Sequence, residues 1–231
     1  MNRICGQCGK MITGEDAVFC PYCGAKLTAE PVAEIRNEEA EKWVRKALAT
    51  TSYPDRKKIL LEGLKACPDS REISWELLFI GEEAPKKGRG IDFSVIQCWV
   101  LEIYRDPKAF RDAKRDEMRA QLFDSPRLNG TLQMFEDPAA KQQEYLQRLC
   151  RDYVELFLEG NNQVMGGIFG FRLERNKDKR IAVPVAQMIA NIRADEKLLP
   201  EQREQLWKIL YQAYGVRTGG KMEYLDELLD S

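Results

Sequence analysis

Apolar residues recur at helical spacing through most of the chain, punctuated by proline and glycine. Ile35, Trp43, Val44, Ala47 and Leu48 include helical neighbours with charges on the opposite face, which predicts a helix entered near Pro31. Residues 54–67 and 69–81 predict two more, with Pro54 and Pro68 marking the breaks. The first presents Ile59, Leu60, Leu61 and Leu64. The second carries Ile73, Trp75, Leu77, Leu78, Phe79 and Ile80, the pattern of a more fully buried helix. Residues 82–90 (EEAPKKGRG) read as a loop, followed by an apolar helix over 93–104 and a charged amphipathic helix over 107–123. Ser125-Pro126 and Asp137-Pro138 punctuate the next stretch. Tyr145, Leu149, Tyr153, Leu156 and Phe157 predict a long helix over 138–159, stopped by Gly160. Glycines among large apolar residues in 164–171 suggest close packing or a bent segment, since no phosphate-cradle motif is present. Helices are expected around 182–194 and 200–214, with Gly215 and Gly219-Gly220 releasing the chain. The last ten residues read as a short acidic helix docked through Tyr224, Leu225, Leu228 and Leu229, the alternative being a motif offered to a partner groove.

The N-terminal stretch is organised differently. Four cysteines fall in the first 23 residues, as Cys5-Gly6-Gln7-Cys8-Gly9 and Cys20-Pro21-Tyr22-Cys23-Gly24. A C-x2-C pair turns tightly enough to place two thiolates on one metal, and Gly9 and Gly24 suit the left-handed conformation that completes such a turn. Two facing turns supply four sulfurs in a tetrahedron, the geometry zinc accepts. Between them, Lys10-Met11-Ile12 and Ala17-Val18-Phe19 are short strand candidates, with Thr13-Gly14-Glu15-Asp16 as their turn. So small a unit depends on the metal for folding. A redox dithiol is the competing reading, but neither pair lies in a βαβ pattern. Iron is another, but the spacing is much shorter than rubredoxin-like proteins use. A catalytic zinc would need an open coordination position, and four cysteines close the shell.

The segments CGQCGK and VFCPYCGAKL together resemble the short zinc-ribbon domain at the N-termini of many bacterial proteins, over about residues 3–27. Gly6 stands where the second knuckle has Pro21. The resemblance implies one structural zinc per chain on Cys5, Cys8, Cys20 and Cys23, and it fixes no activity. Residues 43–81, and LLEGLKACPDSREISWELLFIG in particular, resemble the junction between two tetratricopeptide-type repeats. That resemblance covers about one and a half repeats and implies a helix-pair scaffold for peptides or partner proteins.

Composition narrows the function classes. The chain has 231 residues, 44% hydrophobic and 32% charged, which fits a soluble fold. Its net charge of -1 gives no global attraction to nucleic acid or an anionic membrane. No apolar run is long enough to span a bilayer, and MNRICGQCGK lacks the apolar run of a secretory signal, so a cytoplasmic location is expected. There is no histidine, which removes the commonest general base. Cys67, Cys98 and Cys150 sit singly in helical segments and read as packing residues. Asp112, Asp116 and Glu117 alternate with Arg111, Lys114, Arg115 and Arg119, as in surface ion pairing. The best basic patch is Arg172, Arg175, Lys177, Lys179 and Arg180 against Glu174 and Asp178, an exposed loop that could also touch phosphates. The ribbon has only Arg3, Lys10 and Lys26 against Glu15 and Asp16, a poor footprint for a nucleic-acid reader.

The expected organisation is a β zinc ribbon over 1–27, a linker over 28–34, an all-α domain over 35–215 and a tail or short acidic helix over 216–231. The expected function is a non-catalytic bacterial cytoplasmic adaptor or regulator that binds zinc and, through its helices, a protein partner. Nucleic-acid binding through the ribbon and the 172–180 patch is the alternative, and an enzyme with an unrecognised helical site is the third reading.

Overall fold

The computed structural model describes residues 2–4, 11–13, 22, 32–81, 96–159 and 177–230, and these are mostly helical. Two short strands, β1 (Asn2–Ile4) and β2 (Met11–Thr13), pair antiparallel with Arg3 opposite Ile12. Met11 and Ile12 were expected in a strand; their partner is Asn2–Ile4, and Thr13 extends the strand rather than opening a turn. The other strand candidate, 17–19, lies outside the described residues.

Helix α1 (Val32–Leu48) begins inside the stretch that sequence offers as linker or helix entry. Ala40, Trp43, Val44 and Ala47 form its inward stripe at the i, i+3, i+4, i+7 spacing of a packed helix, while Leu48 is 46% exposed. Helix α2 (Tyr53–Ala66) is capped by Ser52, whose hydroxyl accepts from Asp55 N, and buries Leu60 and Gly63. A Cβ at Gly63 would stand 2.8 Å from Trp43 Cβ, so glycine is what lets α1 and α2 approach there. Helix α3 (Arg71–Leu77) is capped by Ser70.

The described apolar residues form two clusters that meet at α3. Ile73, Leu77 and Ile80 pack with Ala40, Ala47, Leu60 and Cys67 of the α1–α2 pair. Trp75, Leu78 and Phe79 belong to the larger core formed with described residues from Ile96 to Leu225. Burial on both sides explains why apolar residues occupy more than one face of this stretch. Carbonyls at its end accept from neighbouring elements: Leu77 O and Ile80 O from Arg127, and Gly81 O from Lys57 Nζ at 3.0 Å.

Ile96 pairs with Ile80 in an isolated antiparallel bridge, and Gln97 N donates to Phe79 O at 3.1 Å. A 3₁₀ turn (Gln97–Leu101) and a short helix, α4 (Glu102–Arg105), follow. The helix expected over 93–104 is therefore not continuous. Its described part starts extended at Ile96, because backbone pairing to the end of α3 competes with helical bonds there. The helix expected over 107–123 is likewise shorter: α5 is Asp112–Phe123, preceded by a 3₁₀ turn (Pro107–Ala109). Phe110 lies between them in extended backbone, edge-on to Trp99 at 5.8 Å.

Ser125 and Asp137 cap α6 (Pro126–Leu132) and α7 (Pro138–Tyr153), each followed by proline at the first helical position. Six residues (Val154–Glu159) continue α7 with the wider π-helical spacing. The glycine-rich 164–171 stretch lies outside the described residues. Helix α8 (Lys177–Arg193) starts five residues before the expected 182 and contains Pro184. Helix α9 (Pro200–Arg217) runs through Gly215; the stop comes at Gly219 and Gly220, with φ of 63° and 87°, where Gly220 N returns to Gly215 O at 2.8 Å. The final helix, α10 (Glu223–Leu229), buries Leu225 and packs on α8. Among the described residues, no helix is long and apolar enough to cross a membrane.

Candidate functional site

The expected zinc ligands Cys5, Cys8, Cys20 and Cys23 lie outside the described residues, as do Arg172 and Arg175. In sequence, Cys5 and Cys8 fall in the connection between β1 and β2. Lys177, Lys179 and Arg180 begin α8, so this half of the basic patch is helical rather than a loop. Cations gain nothing from the dipole at a helix N-terminus. Cys67, Cys98 and Cys150 are buried, and burial pushes the Cys98 and Cys150 thiols up, away from the nucleophilic form.

A cleft of about 620 Å³ opens where α1 and α3 face the start of α7. Its lining includes Val44 from α1; Arg71, Glu72, Trp75 and Glu76 from α3; Phe135 and Glu136 from the turn before α7; and Ala140, Lys141 and Glu144 from α7, beside the cap Asp137. Trp75 and Phe135 meet edge to face, with ring centroids 5.6 Å apart and planes at 73°. The Lys141 ammonium stands 4.8 Å from the Trp75 centroid and 5.0 Å from that of Phe135, and donates to Glu144 Oε2 at 2.6 Å. The two rings therefore form an angle already holding a cation. Arg71 lies 5.8 Å from the other flank of Phe135 and pairs with Glu72 at 2.8 Å.

Among the described residues, five carboxylates line this cleft (Glu72, Glu76, Glu136, Asp137, Glu144) against two cations, Arg71 and Lys141. Burial works against the charge on Glu72, but hydrogen bonds from Arg71 and Ser70 outweigh it and hold the carboxyl below the usual range.

Behind the floor, Phe79 meets Trp75 edge-on at 5.3 Å and carries the Arg148 guanidinium 3.8 Å from its centroid. Arg148 donates two 2.8 Å hydrogen bonds to Glu76, the parallel fork geometry that suits arginine and carboxylate. Burial opposes the Arg148 charge, and the Glu76 contacts more than compensate, so its pKa lies above the ordinary value. Asp152, 3.9 Å from Arg148, is pushed up by burial despite that neighbour. Lys141, Trp75, Phe79 and Arg148 thus form a cation–ring–ring–cation series, the two rings edge to face, with the cations held by Glu144 and Glu76.

Sequence reading missed this site. Trp75 was legible as a buried residue, while Phe135 and Lys141 stood out in no pattern. The only local signal was the Lys141–Glu144 spacing of an ion-paired helix face. The described part of the 111–119 charge run does form surface pairs, Lys114 with Glu117 at 2.9 Å among them. Arg119, however, also turns inward to Asp195 at 2.6 Å, with both side chains largely covered.

With this geometry in place, no protein-family model, curated protein or solved structure matches the chain.

Proposed function

We propose that this protein is a zinc-binding, non-catalytic adaptor whose helical body holds a protein partner in the α1–α3–α7 cleft. The observation that carries the reading is the cleft itself: an open concavity of about 620 Å³ with paired aromatic rings and ionised groups around them. Recognition surfaces place buried aromatic anchors within a polar rim in this way. The α1–α2 pair supports it as a helix-pair scaffold with its own small core, from which α3 presents Trp75 to the cleft. The zinc assignment is supported by the donor set, two C-x2-C pairs each followed by glycine, and by the β1–β2 pairing on either side of the first pair in sequence.

The test is a photo-cross-linking residue placed at Ala140 in the full-length chain, with captured proteins identified and repurified. A partner whose binding to the wild-type chain is lost in Ala140→Arg, with helicity unchanged, is the expected result. Capture unaffected by Ala140→Arg, or no capture at all, overturns the assignment.

A further inference from the structure

The chemistry of the cleft narrows the partner further, if the cleft is indeed a docking site. The angle between Trp75 and Phe135 presents two negative ring faces, and the chain's own Lys141 ammonium occupies it. Trp75 is only 8% exposed, and the Lys141 ammonium is one of the groups set over its ring, beside Phe79 and Phe135. Lys141 is itself partly exposed and held at its tip by one surface carboxylate, Glu144, on the same helix. Surface pairs of this kind are weak, and a lysine stem leaves its position at small cost. Among the described lining residues, carboxylates outnumber cations by five to two, and by five to three when Arg148 behind Glu76 is included. The potential therefore favours an incoming cation and repels phosphate groups.

We propose that the cleft receives an extended basic segment of the partner, one lysine or arginine of which displaces Lys141 from the faces of Trp75 and Phe135 while its neighbours pair with Glu136 and Asp137. Lys141 is then an internal competitor: it keeps the aromatic angle filled when no partner is bound, and its departure is part of the binding equilibrium. Removing it strengthens binding, the opposite of what deleting a contact residue does.

The probe is a fluorescently labelled hexalysine peptide titrated with the full-length, zinc-loaded chain at about 0.15 M ionic strength, where the Debye length is about 8 Å, and read by anisotropy. Lys141→Ala vacates the angle and tightens binding about three- to tenfold, the worth of one partly desolvated cation–ring contact. Lys208→Ala is the matched control. Lys208 also lies over a tryptophan, Trp207 at 5.8 Å, and also pairs with a carboxylate of its own helix, Glu204 at 2.8 Å, but outside this cleft. It removes the same charge and leaves the affinity within about twofold, since a distant exposed charge is largely screened. Glu136→Gln/Asp137→Asn keeps a competent cap on α7 and weakens binding severalfold. Equal effects of Lys141→Ala and Lys208→Ala, weaker binding in Lys141→Ala, or no hexalysine binding by any variant overturns the basic-segment inference. If the Ala140 cross-link nevertheless captures a partner through the cleft, the docking reading stands and only the partner's chemistry is wrong. If both fail, both fall.

Discussion

Replacing Arg148 by alanine tests how the two clusters of the helical body are held together. Arg148 of α7 reaches Glu76 of α3 with two 2.8 Å hydrogen bonds and lies 3.8 Å from the Phe79 ring. The side chains are 22% and 11% exposed, so the pair is mostly covered and Glu76 the more so. Removing one partner of a fully buried pair costs about 3–5 kcal/mol, because the other charge is stranded. Residual solvent at Arg148 reduces that figure, and the lost cation–ring contact adds about 0.5–1 kcal/mol. The expected loss is about 2–4 kcal/mol, a large fraction of the roughly 5–15 kcal/mol that holds a typical domain. Urea unfolding followed by far-ultraviolet circular dichroism measures it. Replacing both residues, as Glu76→Leu/Arg148→Met, strands no charge and is expected to recover much of the loss. A single-variant loss under about 0.5 kcal/mol, or no recovery in the double variant, refutes the argument that the α3–α7 contact depends on this pair.

Three further perturbations probe other parts of the fold. Gly63→Ala forces a methyl to within 2.8 Å of Trp43 Cβ and is expected to destabilise by about 1–3 kcal/mol in the same assay; an unchanged or raised midpoint shows that α1 and α2 separate freely. Gly220→Ala meets open space but keeps a φ of 87°, so it costs about 1–2 kcal/mol through backbone strain alone, readable as a lower melting temperature. Asp152→Asn has a sign fixed by the raised pKa of Asp152: the folded state binds the proton more tightly than the unfolded chain. Stability from this group therefore falls as pH rises through the window between the unfolded and the raised folded pKa. The variant removes that penalty, so its urea midpoint rises above wild type at pH 7 and converges on it near pH 4; a gain of equal size at both pH values contradicts the titration.

Local punctuation made the helical character legible. Ser125-Pro126 and Asp137-Pro138 are read directly by the backbone, as cap and first helical residue. Six apolar residues among the eight from Ile73 to Ile80 pointed to a more fully buried helix, and they divide between the two clusters of the core. Which apolar residue faces inward was less legible. Leu48 and Leu61 project outward, at 46% and 43% exposure, because the helix pair closes through the small residues Ala40, Ala47 and Gly63 instead. The start of the helix expected over 93–104 shifted where a tertiary hydrogen bond competed, at Ile96 beside Ile80. The cleft was illegible for a further reason. Glu76 and Arg148 are 72 positions apart, and Arg119 and Asp195 are 76 apart. Each looks like one more solvated charge on its own helix, and only tertiary packing pairs them. Lys141 likewise gains meaning only when α7 brings it over Trp75 of α3.

The most direct test of the two-module organisation is zinc content by elemental analysis, with the helical circular-dichroism signal recorded on the same samples. Wild type, purified under reducing conditions without chelator, is expected to carry one zinc per chain. Cys20→Ser/Cys23→Ser is expected to lose the metal and keep its helicity, since the helical body has its own core. Absence of zinc from the wild-type chain contradicts the metal assignment, and loss of helicity along with the metal contradicts the independence of the two modules.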